Sequence, residues 1–269
     1  MIKFGTAGTP NSAEKRTSFH GVTRIRELGL DAMEVEFTYG VRMGNGTARE
    51  LRKHGEEHSV SLSIHGPYYI NLNAREPQKR KDSERRILES CEKGHLMGAR
   101  NICFHPAFYL KQEPDLVYAN VYDELMALTE VIEKKGWDVR LCPETTGKPT
   151  QFGSWEELMH LCSDVPGLGM TLDFSHVYAR EAGNVDYDKV FKTMKKELGA
   201  SFLHDLHMHF SGIIYTEKGE RKHCDMDDCG EPGFKPIADA MKKWHLEGTI
   251  ICESPNLETD ALKLKKMLK

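Results

Sequence analysis

SIHGPYYINL, residues 63–72, ends a short apolar run on a histidine and follows it at once with a glycine and a proline. A strand that stops on His65 at a tight turn presents that imidazole at the rim of a sheet. One such end says little. Repeated along a chain, the same device defines both a fold and a site. Working outward from it, the strand candidates are KFGTAG (3–8), AMEVEF (32–37), SLSIHG (61–66), NICFHP (101–106), VRLCPET (139–145), GMTLDFSH (169–176), FLHDLHMHF (202–210) and TIICES (249–254).

Charged stretches of helical period separate them: VTRIRELG, TARELRKHGEEH, DSERRILESCEKGHLMG, DLVYANVYDELMALTEVIEKKG, SWEELMHLCSD, DYDKVFKTMKKELG, KPIADAMKKWH and LETDALKLKKMLK. In the fourth, Asp115 is the expected N-cap and Gly136 the stop. The fifth starts on a Ser154 cap with Glu156 and Glu157 in its first turn. Strands alternating with helices from end to end predict an α/β protein, a single (β/α)8 TIM barrel over residues 1–269. A doubly wound sheet is the alternative.

At 39% hydrophobic and 29% charged, the chain has apolar mass for a large core. No run approaches the roughly 18 apolar residues of a membrane span. The start, MIKFGTAGTPNSAEKR, lacks an apolar signal core. The expectation is a cytoplasmic protein. Cys103, Cys142 and Cys252 lie in apolar runs, which predicts buried free thiols. Cys224 and Cys229, in HCDMDDCG, read either as free thiols or as members of a metal site. The formal charge of −4 argues against a general nucleic-acid binder but not against a local basic patch.

The other strands repeat the device. NICFHP closes on His105, VRLCPET on Glu144, and LDFSH on Asp173 with His176 three residues on. HMHF offers His207 and His209, and CES ends on Glu253. In a (β/α)8 barrel the C-terminal strand ends converge on one face, where active sites lie. So many imidazoles and carboxylates in one pocket would destabilise one another unless cations compensate them. The reading is a metal site at the C-terminal face of the strands. Mixed histidine and carboxylate ligands suit Zn²⁺, with Mn²⁺ or Fe²⁺ also compatible. The ligands outnumber the coordination of one tetrahedral ion, so about two to three ions sharing carboxylates are expected. His207 and His209, two apart in a strand, face the same side, and either could be the ligand. His209 lies nearer the rim.

Together these motifs resemble endonuclease IV, the zinc-dependent abasic-site endonuclease of the xylose-isomerase-like barrel superfamily. HGPYYINL (65–72), FHP (104–106), PETT (143–146), LDFSH (172–176), HFSG (209–212) and ESP (253–255) occur in the family's order and with similar spacing. The resemblance implies a trinuclear zinc centre and hydrolysis of the phosphodiester 5′ to an abasic site in double-stranded DNA, by what is expected to be a monomer. It implies that His65, His105 and Glu144 bind one zinc. Glu144 then bridges to a second, held also by Asp173, His209 and Glu253, and His176 binds a third. Glu144 and Glu253 would be the catalytic carboxylates, Glu253 orienting or deprotonating the attacking water. Tyr68 matches the family tyrosine that enters DNA near the lesion.

The chain departs from the pattern in two places. The family completes its third site with an Asp-x-His segment, and the matching region here, ERKHCDMDDCGEPGF, holds His223 and Asp225 in the reverse order. These two are the expected ligands, with Cys224 as a substitute or a weakened site as alternatives. The loop FTYGVRMGNG resembles the DNA-penetrating loop only in part, with Arg42 as its candidate contact. Arg75, Lys79, Arg80, Lys81, Arg85 and Arg86 form either a phosphate-contacting patch or a solvated helix face. Lys148 and Arg180 are further candidates.

The same superfamily contains sugar isomerases and epimerases, which hold one divalent metal with Glu, Asp, His and Glu. Glu144, Asp173, His209 and Glu253 fit that pattern as well. The extra imidazoles of His65, His105 and His176 favour the nuclease. A metal-storing or damage-binding protein without turnover is a third reading.

Overall fold

The computed structural model describes residues 1–268. In order, the elements begin β1 (Ile2–Ala7), α1 (Ser18–Glu27), β2 (Ala32–Glu36), α2 (Asn45–His58), β3 (Ser61–His65), α3 (Pro77–Met97), β4 (Asn101–Phe104) and β5 (Ala107–Phe108). They continue with α4 (Pro114–Lys135), β6 (Arg140–Pro143), β7 (Gln151–Phe152), α5 (Trp155–Asp164), β8 (Thr171–Asp173), α6 (Phe174–Arg180), α7 (Tyr187–Leu198) and α8 (Ala200–Leu203). The last are β9 (Leu206–Phe210), β10 (Gly212–Thr216), β11 (Gly219–Cys224), α9 (Met226–Cys229), α10 (Phe234–Lys243), β12 (Gly248–Cys252) and α11 (Glu258–Leu268).

Eight strands form one parallel sheet in the order β6-β4-β3-β2-β1-β12-β9-β8. The two ends of that order meet through Glu144, which bridges to Thr171, and the Thr145 amide donates to the Thr171 carbonyl at 3.0 Å. The sheet is thus a nearly closed (β/α)8 barrel, as the alternation predicted. Register aligns the strand ends at one rim: Glu36 sits beside His65, and His209 beside both Asp173 and Ile251. Gly248 opens β12 at φ +114°, and a Cβ there would lie 2.0 Å from the Leu206 carbonyl oxygen, so only glycine fits.

Local signals set the helix ends. Ser154 and Glu157 form a capping box that starts α5, as its sequence indicated. Gly136 ends α4 in the left-handed conformation. The start of α4 differs from expectation. Pro114, with its fixed φ and no N–H to satisfy, takes the first helical position; Glu113 holds the cap position without a side-chain hydrogen bond, and Asp115 falls inside the first turn. Two strand candidates also shorten. Residues 200–203 coil into α8 before β9, and β8 stops at Asp173 because that side chain caps α6. A hairpin of β10 and β11, absent from the sequence reading, rises after β9 and leans on the β6–β7 loop through the Glu220 amide.

Among the described residues, no helix is long and apolar enough to cross a membrane. Cys103, Cys142 and Cys252 are buried free thiols, as expected. Cys224 and Cys229 are not. They pair in a disulfide, which removes both sulfurs from any metal-binding role.

Candidate metal centre

Glu144 follows β6 directly and is fully buried. Its Oε2 lies 3.1 Å from His65 Nε2 and 3.0 Å from His105 Nε2. Its Oε1 lies 3.1 Å from His209 Nδ1 and 3.3 Å from His176 Nδ1. One carboxylate therefore stands between imidazoles delivered by four separate strand ends. Burial opposes its ionisation, but His105 and His209 outweigh that and hold the carboxyl well below the usual range.

Three groups of ligand atoms, each within 4.8 Å of one another, share this rim: His65, His105 and Glu144; Glu144, Asp173, His209 and Glu253; and Asp173, His176 and His223. Hydrogen bonding aims their lone pairs. His65 donates from Nδ1 to the Gly66 carbonyl at 2.8 Å, which leaves Nε2 facing Glu144. His176 donates from Nδ1 to the Thr145 carbonyl at 2.9 Å, which leaves its Nε2 facing His223 Nε2 at 3.1 Å. Asp173 Oδ1 accepts from the His176 amide at 2.7 Å, while its Oδ2 is buried without a hydrogen-bond partner among the described residues. Closely facing imidazole nitrogens and an orphaned carboxylate oxygen fit bound cations, which would satisfy both. Without a cation the pocket takes protons instead. Burial disfavours the imidazolium of His65, yet the hydrogen bond to Glu144 raises its pKa to about 10.

Beneath the rim lies a layer that the strand-end reading missed. Glu34 is buried on β2, and Glu34 Oε2 accepts from His207 Nε2 at 2.7 Å and from Ser63 Oγ at 2.7 Å. Glu34 Oε1 stands 2.9 Å from His209 Nε2. Strands β2 and β9 are not neighbours in the sheet, so these side chains meet through the barrel interior. This separates the two histidines. His209 turns Nδ1 to the metal groups and Nε2 to Glu34, and His207 sits lower, kept neutral by burial. The alternation Glu34-Val35-Glu36 was the available signal, because two carboxylates on the inward face of a barrel strand require partners.

Glu36 belongs to the same face. Its Oε1 is buried without a hydrogen-bond partner among the described residues, and burial raises its pKa to about 8. The fold therefore retains a proton that the unfolded chain loses. Stability of the metal-stripped protein should fall as pH rises from about 4.5 to about 8, and Glu36→Gln should flatten that slope. Urea unfolding of both proteins at pH 5 and pH 8.5 checks it; parallel pH dependences would count against the assignment.

A cavity of about 250 Å³ opens above the ligands, lined by His65, Tyr68, His105, His176, Glu220, His223 and Glu253. Glu220 also escaped the sequence reading, since nothing in GERKH marks it. It comes from the hairpin and reaches 3.7 Å from His176 Nε2. Asp225 does not join these groups: the chain leaves β11 at Cys224, and Asp225 takes the cap position of α9. Tyr68 is 54% exposed at the cavity mouth, with Tyr39 and Tyr69 exposed as well. Arg42 is exposed in the loop after β2. Arg75 is exposed and donates to the Leu110 carbonyl at 2.6 Å. Lys79, Arg80 and Arg85 pair with Glu76, Glu124 and Glu89, the behaviour of a solvated helix face. Arg180 is turned inward onto the carbonyls of Thr146, Lys148 and Gln151.

The family model described as xylose isomerase-like TIM barrel matches residues 22–269. An uncharacterised protein of Methanocaldococcus jannaschii is 40% identical over 270 residues, covering 99% of this chain and 96% of that one. A Mycoplasma genitalium protein described as "Probable endonuclease 4" is 27% identical over 213 residues, covering 77% of this chain and 71% of that one. Among solved structures, a D-tagatose 3-epimerase-like protein superposes with a TM-score of 0.75 at 18% identity, covering 99% of this chain and 95% of that one. At that identity the likeness concerns the fold alone.

Proposed function

Starting from a chain that belongs to the xylose isomerase-like TIM barrel family, we propose a metal-dependent endonuclease that hydrolyses the phosphodiester 5′ to an abasic site in double-stranded DNA and leaves a 3′-hydroxyl. The surplus of imidazoles carries this reading. A one-metal sugar epimerase needs only the quartet Glu144, Asp173, His209 and Glu253. Here His65 and His105 complete a second group around Glu144, and His176 and His223 a third around Asp173. The sequence relative described as an endonuclease points the same way.

The first group would hold one ion, the quartet another, and Asp173, His176 and His223 the third, with Zn²⁺ the best match to the donors. Bound there, such ions supply Lewis-acid charge for a phosphoryl oxygen and acidify water at neutral pH. The chain's own residues do the rest. Burial raises the cost of charge on Glu253, yet His209 beside it brings the carboxyl down to about 2. Glu253 is therefore ionised throughout the working range and orients a water by accepting its hydrogen bond. Tyr68 offers a face on which a base beside the lesion can stack. Arg42 and Arg75, exposed on their loops, contact the phosphate backbone.

Tyr68→Ala should leave the metal content unchanged and weaken binding of an abasic duplex by about 1–3 kcal/mol, the worth of one base–aromatic stack. Fluorescence anisotropy with labelled duplex measures it, and loss of metal in this variant would place Tyr68 in the centre instead. The reading as a whole is tested on one purified sample by metal per chain and nicking of a duplex with one synthetic abasic site. Two to three metals by the groups above, with incision on the 5′ side, supports it. A metal-loaded protein that leaves the duplex intact and epimerises a ketose would replace it with the epimerase reading, which the quartet also fits.

A further inference from the structure

We propose that His54, Glu57 and His58 form a separate site for one divalent transition-metal ion, at the opposite end of the barrel from the catalytic rim. The three residues occupy the last turn of α2, which ends where the chain turns back to start β3 at Ser61. That is the N-terminal side of the strands, away from the His65 and Glu144 groups. Spacing of three and four residues places them on one helix face. Their ligand atoms lie within 4.8 Å of one another, and the two imidazole centroids are 4.2 Å apart.

The hydrogen bonds on both rings already leave a lone pair free on each. His58 Nδ1 lies 2.9 Å from the His54 carbonyl and must donate to it, so Nε2 is the unprotonated nitrogen. His54 Nε2 lies 3.1 Å from the Phe19 carbonyl and 3.0 Å from Thr23 Oγ1. The Thr23 hydroxyl donates to that same carbonyl, so neither neighbour can give Nε2 a hydrogen. Nε2 therefore carries the proton, and Nδ1 carries the lone pair. Carbonyl-anchored imidazoles of this kind are how metal-binding histidines are held in one tautomer. Glu57, exposed beside them, adds a carboxylate, and the final carbonyls of α2 favour a cation at this end of the helix. Two imidazoles and one carboxylate, with water completing the shell, suit Zn²⁺ and its neighbours Co²⁺ and Ni²⁺. The ion would clamp the end of α2, which is also tied to α1 through Phe19 and Thr23.

Co²⁺ alone is the probe, added to protein whose rim centre has first been filled with Zn²⁺. The wild type should take up one further equivalent, with visible absorption from a low-coordinate site and a higher melting temperature. His58→Gln and Glu57→Gln keep the helix and touch nothing at the rim. Each should weaken this Co²⁺ binding more than about tenfold and abolish the thermal shift, with the Zn²⁺ content of the rim unchanged. If both variants bind Co²⁺ and shift as the wild type does, the site is not there. The same holds if the wild type takes up no further equivalent.

Discussion

Glu144→Ala is expected to abolish metal binding at two of the three rim groups together and to lower the proposed phosphodiester hydrolysis by more than about 10⁴-fold. The expectation follows from the geometry of one carboxylate. Glu144 Oε2 faces His65 and His105, and Glu144 Oε1 faces His209 and His176. Both the first group and the quartet count it as a member, just as the quartet and the third group share Asp173. His105→Ala provides the contrast, because His105 belongs to the first group alone and should cost only that ion. The fold is expected to survive either change. Glu144 raises the pKa of His65, and together with Asp173 that of His176, so without it these two rings can more readily shed their protons than remain as stranded buried charges. Metal analysis of the two variants, followed by the nicking assay, decides the matter. Full metal content in the Glu144 variant would overturn the ligand map.

Glu34→Ala should reach the centre from below. Among the described residues Glu34 is the only hydrogen-bond partner of His207 Nε2, and it also holds Ser63 Oγ and stands behind His209. Removing it leaves several buried polar groups unpaired, at a cost of about 3–5 kcal/mol in stability. The imidazole of His209 would also lose the anion that orients it, and the quartet's metal affinity should fall roughly 10- to 100-fold. Urea unfolding and competition with a chelator read the two effects separately. Glu34→Gln, which preserves shape and one acceptor, should lie between. If stability fell but metal affinity did not, Glu34 would be a packing partner with no hold on His209.

Most of the rim was legible because a barrel turns sequence into position. A ligand-type residue that ends an apolar strand must arrive at the same face as its counterparts, so His65, His105, Glu144, Asp173, His209 and Glu253 could be gathered without coordinates. Glu34 was not found because it lies within its strand rather than at the end, and interior positions are usually apolar. Glu220 lies on a hairpin whose place over the rim depends on tertiary packing against the β6–β7 loop. The disulfide between Cys224 and Cys229 was invisible for a related reason. Four intervening residues permit a pair, but only the turn through α9 brings the sulfurs together.

The bridge between Glu144 and Thr171 gives the barrel a zipper with few teeth. Elsewhere neighbouring strands share ladders of up to five residue pairs, while β6 and β8 are joined by the single bridge of Glu144 to Thr171, with the Gly169 amide and the Thr171 hydroxyl donating to the Leu141 and Cys142 carbonyls beside it. The quartet straddles that gap, with Glu144 on one side and Asp173 on the other. An ion seated there would act as a rivet across the weakest joint of the cylinder. Catalytic loading and mechanical closure would then be the same event, and amide exchange at Thr145 and Thr171 should slow when metal is added and recover when it is chelated.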